Sequence, residues 1–136
     1  MAYIFPSAAT LERKPKVGTT DCVALVQYYA AVPHHNAWRA GTNVMDNRNL
    51  TPGTAIATFV NGRYRSLKKG NHTAFFLRFA GPGEGFWVMD QWKDGGGRSS
   101  KPFISARQIR PKKDAQNADG SWKQASDDAR AFSVIE

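Results

Sequence analysis

The longest helical pattern in the chain covers residues 19–32, where apolar side chains recur at spacings of three and four. Apolar residues fall on two sides of this stretch, so we expect a largely buried helix. Thr-Thr-Asp at its start supplies N-cap side chains, and Pro33 ends it. The preceding residues 1–17 show no such period, and we expect an irregular N-terminal segment there.

After residue 53 the pattern becomes extended, with short runs of β-branched and aromatic residues separated by glycine-containing turns. Residues 34–53 are predicted to form a connection without regular structure, and the polar residues 111–128 are predicted to form a long loop. The extended runs predict strands at residues 54–60, 72–79, 86–92 and 103–109, with a closing strand at residues 131–136.

A helix followed by antiparallel strands predicts an α+β fold, with the N-terminal helix packed on the sheet. The 136 residues are expected to form a single domain, residues 1–136, large enough to bury a core without a cross-link. The single cysteine excludes an internal disulfide.

The net charge of +8, from 19 Lys and Arg against 11 Asp and Glu, favours a polyanionic partner. Nucleic acid, anionic lipid and cell-wall polymer all satisfy this, and charge alone does not choose among them. The strand aromatics lack the known RNA-binding pattern, so we expect no nucleic-acid partner. No apolar run approaches the roughly 18 residues of a membrane span, and the first residues lack the features of a secretory signal.

The position of Cys22, at the start of the predicted helix, makes it a candidate nucleophile. A helix N-terminus stabilises a thiolate through its free N–H groups and its dipole. His34 and His35 follow the far end of the helix, about 18 Å away at 1.5 Å per residue, and are poor partners. His72 opens a strand instead, so the fold can bring it to the helix tip.

A third polar group usually orients the imidazole of such a pair. Asp90 and Gln91 follow each other on the next predicted strand, so they face opposite sides and only one can meet His72. Asp90 is preferred because a carboxylate also stabilises the imidazolium. Each of these residues has a plainer interpretation, as core filler for Cys22 and as a paired surface or core group for His72 and Asp90.

Metal and cofactor sites are not expected from this sequence. One Cys and three His lack the close pair spacings of a structural zinc site, and neither HExxH nor CxxC occurs. The glycine-rich stretches "GPGEG" and "DGGGRSS" lack the strand–loop–helix context of a phosphate-binding loop, so they are interpreted as turns.

The runs "DCVALVQ", "GNHTAFFL" and "VMDQW" together resemble the papain-like NlpC and CHAP group of cell-wall amidases. More narrowly, "WRAG", "GTAIATFVNGRY", "GNHTAFFL", "DQW" and "AFSVIE" are similar to the second family of type VI secretion amidase effectors. The similarity runs from about Gly18 to the C-terminus. It implies a papain-like fold and hydrolysis of peptidoglycan cross-links between meso-diaminopimelate and D-alanine.

The resemblance also implies roles for individual residues and partners. Cys22 is then the nucleophile, His72 the general base and acid, and Asp90 the orienting residue. Secretion would be by the type VI machinery, without a signal peptide, from the producer cytoplasm into the periplasm of a target cell. A cognate immunity protein would protect the producer. As substrate-binding residues we expect Asp21, Trp38, Gln91 and Trp92.

Three alternatives remain open from the sequence. The same chemistry could cut the γ-D-glutamyl–diaminopimelate bond. A cysteine deamidase or protease toxin could use the same residues on proteins. A non-catalytic basic module could bind nucleic acid or wall polymer, with strongly salt-dependent affinity.

Overall fold

The computed structural model describes residues 1–95 and 97–136. Within these residues the chain forms one α-helix and an antiparallel sheet of six strands, as the sequence predicts for an α+β fold. The elements are α1 (Cys22–Ala30), β1 (Ala40–Asn43), β2 (Ala55–Thr58), β3 (Thr73–Phe79), β4 (Phe86–Asp90), β5 (Ser105–Ile109) and β6 (Phe132–Ile135).

Helix α1 is shorter than predicted at both ends. Thr20 has a φ of 71°, a left-handed conformation that the helix cannot contain, so Asp21 becomes the N-cap. The Asp21 Oδ1 atom accepts a hydrogen bond from the Ala24 N–H at 2.9 Å. At the other end Ala31 is left-handed, with a φ of 54°, and terminates the helix two positions before Pro33.

The strands lie in the order β1-β6-β2-β3-β4-β5. The C-terminal strand β6 therefore closes the sheet between β1 and β2, in agreement with the predicted closing strand. Strand β1 was not predicted, because the sequence Ala-Gly-Thr-Asn shows no apolar alternation. It lies within the supposed connection at residues 34–53 and pairs with β6 at the edge of the sheet. The five strands that the sequence predicts are each observed, and each is one to three residues shorter in total than predicted.

Both faces of the sheet are covered by apolar side chains. Phe75 and Met89 belong to the core layer that includes Leu25 and Val26 of α1. The alternating position Phe76 belongs to a second layer, built with residues from the chain around β6. The helix therefore packs on one face, and its N-terminus lies near the start of β3.

The N-terminal segment is more ordered than expected. A 3₁₀ helix at Ala8–Leu11 buries two side chains, and isolated bridges join Ile4 to Thr54 and Pro15 to Phe103. Gly53 permits the close approach of this segment, because a Cβ atom there would lie 2.1 Å from the carbonyl oxygen of Phe5. In the described part of the chain, no helix has the length and apolarity needed to cross a bilayer.

Candidate active site

A cleft of about 760 Å³ opens beside the N-terminus of α1. Its walls come from the start of the helix, the loop that precedes β3, the loop after β4 and the 3₁₀ turn near residue 125. Cys22 and His72 both line this cleft. The fold thus brings together two chemically active residues that are 50 positions apart in the sequence.

Cys22 is the first residue of α1 and is half-buried. The N-cap interaction of Asp21 uses the N–H of Ala24, so it leaves the Cys22 N–H free. Among the hydrogen bonds of the described residues, none uses that N–H group. Cys22 consequently combines a place in the cleft lining with an unpaired backbone donor at a helix N-terminus.

His72 is held rigidly at the position just before β3. Its side chain is buried, and its N–H donates to Thr58 Oγ1 at 3.0 Å while its carbonyl accepts from the Thr58 N–H at 2.9 Å. The Nε2 atom of His72 lies 2.7 Å from Asp90 Oδ2. This contact occupies one ring nitrogen of His72, and the charge of the ring acts on the neighbouring Cys22.

The register of β3 and β4 explains why Asp90 reaches the imidazole. Phe76 pairs with Val88, so His72 and Asp90 project from the same face of the sheet, on adjacent strands. The Asp90 carboxylate is fully buried. It also contacts Lys101 Nζ through Oδ1 and accepts a hydrogen bond from Arg107 Nε at 2.6 Å.

Three positive or potentially positive groups therefore surround one carboxylate. Burial alone would raise the pKa of Asp90. The hydrogen bond and charge of His72, with the charges of Arg107 and Lys101, instead hold that pKa well below its usual range. Asp90 is thus ionised at neutral pH and can stabilise a positive imidazole.

The same competition between burial and charge operates on the Cys22–His72 pair. Burial opposes the charged form of each group. The charge of His72 and a hydrogen bond with it nevertheless lower the pKa of the Cys22 thiol below its ordinary value. Reciprocally, the charge of Cys22 and the hydrogen bond with Asp90 raise the pKa of His72. Both shifts favour the thiolate–imidazolium form of the pair over the neutral form.

Two of the predicted substrate-binding residues line the cleft. Asp21 is half-buried beside Cys22. The Trp92 ring lies 6.2 Å from the His72 ring, between centroids, and Arg98 stacks on it with 4.1 Å from the guanidinium carbon to the ring centre.

The structure places the other two predicted substrate-binding residues outside the cleft lining. Trp38 and Gln91 are both fully buried and do not line the cleft. Trp38 donates its ring N–H to the carbonyl of Pro33 at 2.8 Å. Gln91 is bonded to the backbone of Val17 through both ends of its amide and donates to the carbonyl of Asp21 at 2.7 Å. These side chains support the cleft from behind.

The structure also changes the position expected of the two histidines after the helix. His34 and His35 line the same cleft as Cys22, because the left-handed Ala31 turns the chain and the 3₁₀ helix His35–Ala37 continues the turn. The ring of His35 lies 5.7 Å from that of Tyr64, between centroids. Neither histidine is among the groups that shift the pKa of Cys22, which are His72, Thr73 and Tyr64.

Three residues of the site were missed by the sequence analysis. Arg107 could have been found, because the predicted strands 86–92 and 103–109 pair with each other. Arg107 lies opposite Val88, which is two positions from Asp90 and therefore on the same face of the sheet. Lys101 lies in a loop and carries no pattern. Tyr64, whose hydroxyl is 3.8 Å from Cys22 Sγ, follows a hairpin turn and gave no chemical signal either.

Substitutions at Asp90 and at Gln91 separate a contribution to catalysis from a contribution to stability. Asp90→Asn removes the charge that stabilises the His72 imidazolium, so we expect hydrolysis per folded molecule to fall by about 10²-fold or more. Gln91→Ala removes hydrogen bonds behind the cleft and is expected to lower stability by about 1–3 kcal/mol with a smaller effect on the chemical step. Amidase rate and thermal unfolding, measured on both variants, test this.

Because Asp90→Asn also removes the buried carboxylate that Lys101 and Arg107 share, that variant should be destabilised as well. Rates are therefore normalised to the folded fraction. Loss of activity in Gln91→Ala alone would contradict the assignment of Asp90.

No group of three or more His, Cys, Asp or Glu side chains within residues 1–95 and 97–136 is arranged to hold a metal ion.

Comparison with known proteins relates this chain and its fold to type VI secretion amidase effectors. The model of the family "Domesticated amidase effector 2" (Dae2) matches residues 8–123. A Salmonella typhi relative, "Type VI secretion amidase effector 2 protein", is 41% identical over 138 residues, covering 100% of each chain. The solved structure of a "Type 6 secretion amidase effector 2 (Tae2)" superposes with a TM-score of 0.88 at 41% identity, covering 98% of this chain and 94% of that chain.

These matches place the chain in the class of type VI secretion amidase effectors. Within that class it belongs to the amidase effector 2 family, which confirms the membership predicted from sequence. The family match begins at residue 8, so it extends further towards the N-terminus than the similarity seen from Gly18 onward.

Proposed function

We propose that this protein is a peptidoglycan amidase that cuts the cross-link between meso-diaminopimelate and D-alanine by a cysteine mechanism. The observation that carries the mechanism is the juxtaposition of Cys22, at a helix N-terminus, with His72, whose far nitrogen contacts the buried Asp90. Membership of the amidase effector 2 family supports the reaction type and the wall substrate. The choice of bond comes from the resemblance noted in the sequence.

The first chemical step forms an acyl-enzyme. The Cys22 thiolate attacks the carbonyl carbon of the cross-linking amide, a C–S bond forms and the carbonyl π electrons move to oxygen. When the tetrahedral intermediate collapses, the C–N bond breaks and the His72 imidazolium gives its proton to the leaving amine. The free N–H of Cys22 is positioned to donate to the oxyanion.

The second step returns the enzyme to its starting state. Neutral His72 takes a proton from water as the water oxygen attacks the thioester carbonyl. Collapse of this intermediate breaks the C–S bond, leaves a carboxylic acid on the product and returns the electron pair to sulfur as thiolate. Asp90 stabilises the imidazolium that appears in both steps.

The fold supports assignment to the papain-like NlpC and CHAP group. In the described chain a single α-helix presents the cysteine, and an antiparallel sheet presents the histidine and the carboxylate. The N-terminal segment bridges to this sheet and the C-terminal strand lies within it, which supports one catalytic domain over residues 1–136.

The charge of the cleft supports a substrate rich in carboxylates. Each carboxylate that lines it already has a partner, since Asp21 caps the helix, Asp94 pairs with Lys16 and Asp127 pairs with Arg107. Within the described residues, by contrast, four cleft lysines form no salt bridge. They are Lys68, Lys69, Lys93 and Lys123. Peptidoglycan stem peptides supply carboxylates that could pair with them.

We further propose the biological setting that family membership suggests. The effector would leave the producer cytoplasm through the type VI secretion machinery and act in the periplasm of a target cell. A cognate immunity protein would block it in the producer. No cofactor is required by the proposed steps.

The products of digestion test the proposed reaction. Purified protein incubated with isolated Gram-negative sacculi should convert cross-linked muropeptide dimers into monomers, with a new D-alanine carboxylate and a free diaminopimelate amine. Liquid chromatography with mass spectrometry identifies both products. Cleavage within each stem, between γ-D-glutamate and diaminopimelate, would give different masses and contradict the proposed bond. Intact sacculi would contradict the proposed function itself.

A further inference from the structure

Besides His72, a second polar side chain reaches the candidate nucleophile. The hydroxyl of Tyr64 lies 3.8 Å from Cys22 Sγ, within hydrogen-bonding distance for sulfur. Tyr64 is only 8% exposed, although it belongs to the loop region between β2 and β3 and lines the cleft. The residues packed around Tyr64 therefore hold its hydroxyl beside the Cys22 sulfur.

Asn71 determines which way the Tyr64 hydroxyl can donate. The Leu67 N–H donates to Asn71 Oδ1 at 3.0 Å, which fixes the orientation of the amide. Asn71 Nδ2 therefore points at the Tyr64 oxygen and donates to it at 2.9 Å. Because the tyrosine oxygen accepts from Asn71, its own proton is available for another acceptor.

In the described hydrogen bonds of Tyr64, the other partner is Cys22 Sγ. A neutral thiol could donate to the hydroxyl or accept from it. A thiolate has no proton, so once Cys22 ionises the tyrosine must be the donor. The hydrogen bond then favours the charged form of the sulfur.

The packing behind Tyr64 explains how a hydroxyl in a loop stays aimed. The ring centroids of Tyr64 and the buried Trp38 are 4.9 Å apart. His35 packs against the same tyrosine ring. Trp38, which sequence analysis assigned to substrate binding, thus contributes indirectly by supporting Tyr64.

We propose that Tyr64 is the hydrogen-bond donor that holds the Cys22 sulfur in its reactive anionic form, and that Asn71 is a positioning residue for that donor. The proposal rests on the proposed function only for the role of Cys22 as nucleophile. Burial, with the nearby charge of Cys22, raises the pKa of Tyr64, so the hydroxyl keeps its proton throughout the pH range of the reaction. It can therefore serve as a donor in every cycle.

Tyr64→Phe tests the donor because it removes only the oxygen and keeps the packed ring. We measure the rate of iodoacetamide alkylation of Cys22 in the full chain as a function of pH. The inflection should move upward by about 1–2 pH units, and alkylation below it should slow by about 10- to 100-fold. Tyr28→Phe, the same change at an exposed tyrosine of α1, should leave the curve unchanged.

Asn71→Leu gives a second and independent route, because it keeps Tyr64 but removes the donor that orients it. We expect an upward shift smaller than that of Tyr64→Phe. An unmoved inflection in folded Tyr64→Phe, verified by near-UV circular dichroism, overturns the proposal, and so does a shift equally large in Tyr28→Phe. If Tyr64→Phe did not fold, an unmoved inflection in Asn71→Leu would overturn it.

Alkylation needs no muropeptide, so this outcome is independent of the substrate. Wild-type protein that alkylates readily but leaves sacculi uncut would contradict the proposed function without touching the role of Tyr64.

Discussion

Replacing Cys22 with alanine should abolish amide hydrolysis while leaving the fold intact. The sulfur is the atom that forms the acyl-enzyme, and loss of a nucleophile reduces kcat by about 10⁵-fold or more. Its removal should have little effect on stability, because Cys22 is half-buried at the edge of the cleft and the N-cap bond from Asp21 to Ala24 does not use its side chain. Muropeptide release from sacculi, followed by chromatography, measures the loss.

A matched variant separates chemistry from packing. Cys22→Ser keeps the size and a hydroxyl but replaces the thiolate by a group that stays protonated at neutral pH, so it should be nearly as inactive as Cys22→Ala. Thermal unfolding of both variants should remain close to that of the wild type. Release of muropeptides at the wild-type rate by either variant would exclude the cysteine mechanism and direct attention to another nucleophile in the cleft.

The parts of this site that sequence analysis identified are those with a local signal. Asp21 ends a recognisable N-cap sequence, Cys22 follows it, and His72 opens a run typical of a strand. The choice between Asp90 and Gln91 was framed by the two-residue period of a strand, and the β3–β4 register brings Asp90 to the imidazole. The inferences for Asp21, Cys22 and His72 needed only neighbouring residues, whereas that for Asp90 also required two strands to pair.

Features that depend on long-range packing had no such signal. Lys101 reaches Asp90 from a loop, and Tyr64 reaches Cys22 from across the cleft. Strand β1 pairs with β6, nearly a hundred positions later, and its own sequence is not strand-like. Trp38 is a residue type that often occurs in binding sites. Here it is buried behind Tyr64, so its role is to support that residue. Pairing and burial of this kind are set by the whole fold, so a local pattern does not contain them.

The pH dependence of the wild type follows from the two shifted groups of the catalytic pair. Activity should rise as pH increases through the lowered pKa of Cys22, because the thiolate forms. It should fall as pH increases through the raised pKa of His72, because the leaving amine then lacks its proton donor. The pH profile should therefore be bell-shaped, and its two limits belong to the coupled pair.

Substituting His72 by glutamine should reduce hydrolysis by about 10²- to 10⁴-fold, the usual contribution of general acid–base catalysis. The variant lacks the imidazolium, the principal group that offsets the burial of the Cys22 sulfur, so the thiol pKa should rise. Iodoacetamide alkylation at neutral pH should slow together with hydrolysis.

His34→Gln provides the matched control for that variant, because His34 lines the same cleft and is exposed. Among the described residues, its side chain is hydrogen-bonded only to the Asn36 N–H. We expect its hydrolysis rate and alkylation profile to match those of the wild type. Wild-type turnover in His72→Gln, or a loss in His34→Gln as large as that in His72→Gln, would place the general base on the other wall of the cleft. The alkylation profile then identifies which imidazole the thiolate depends on, since only the variant lacking that imidazole would require higher pH to react.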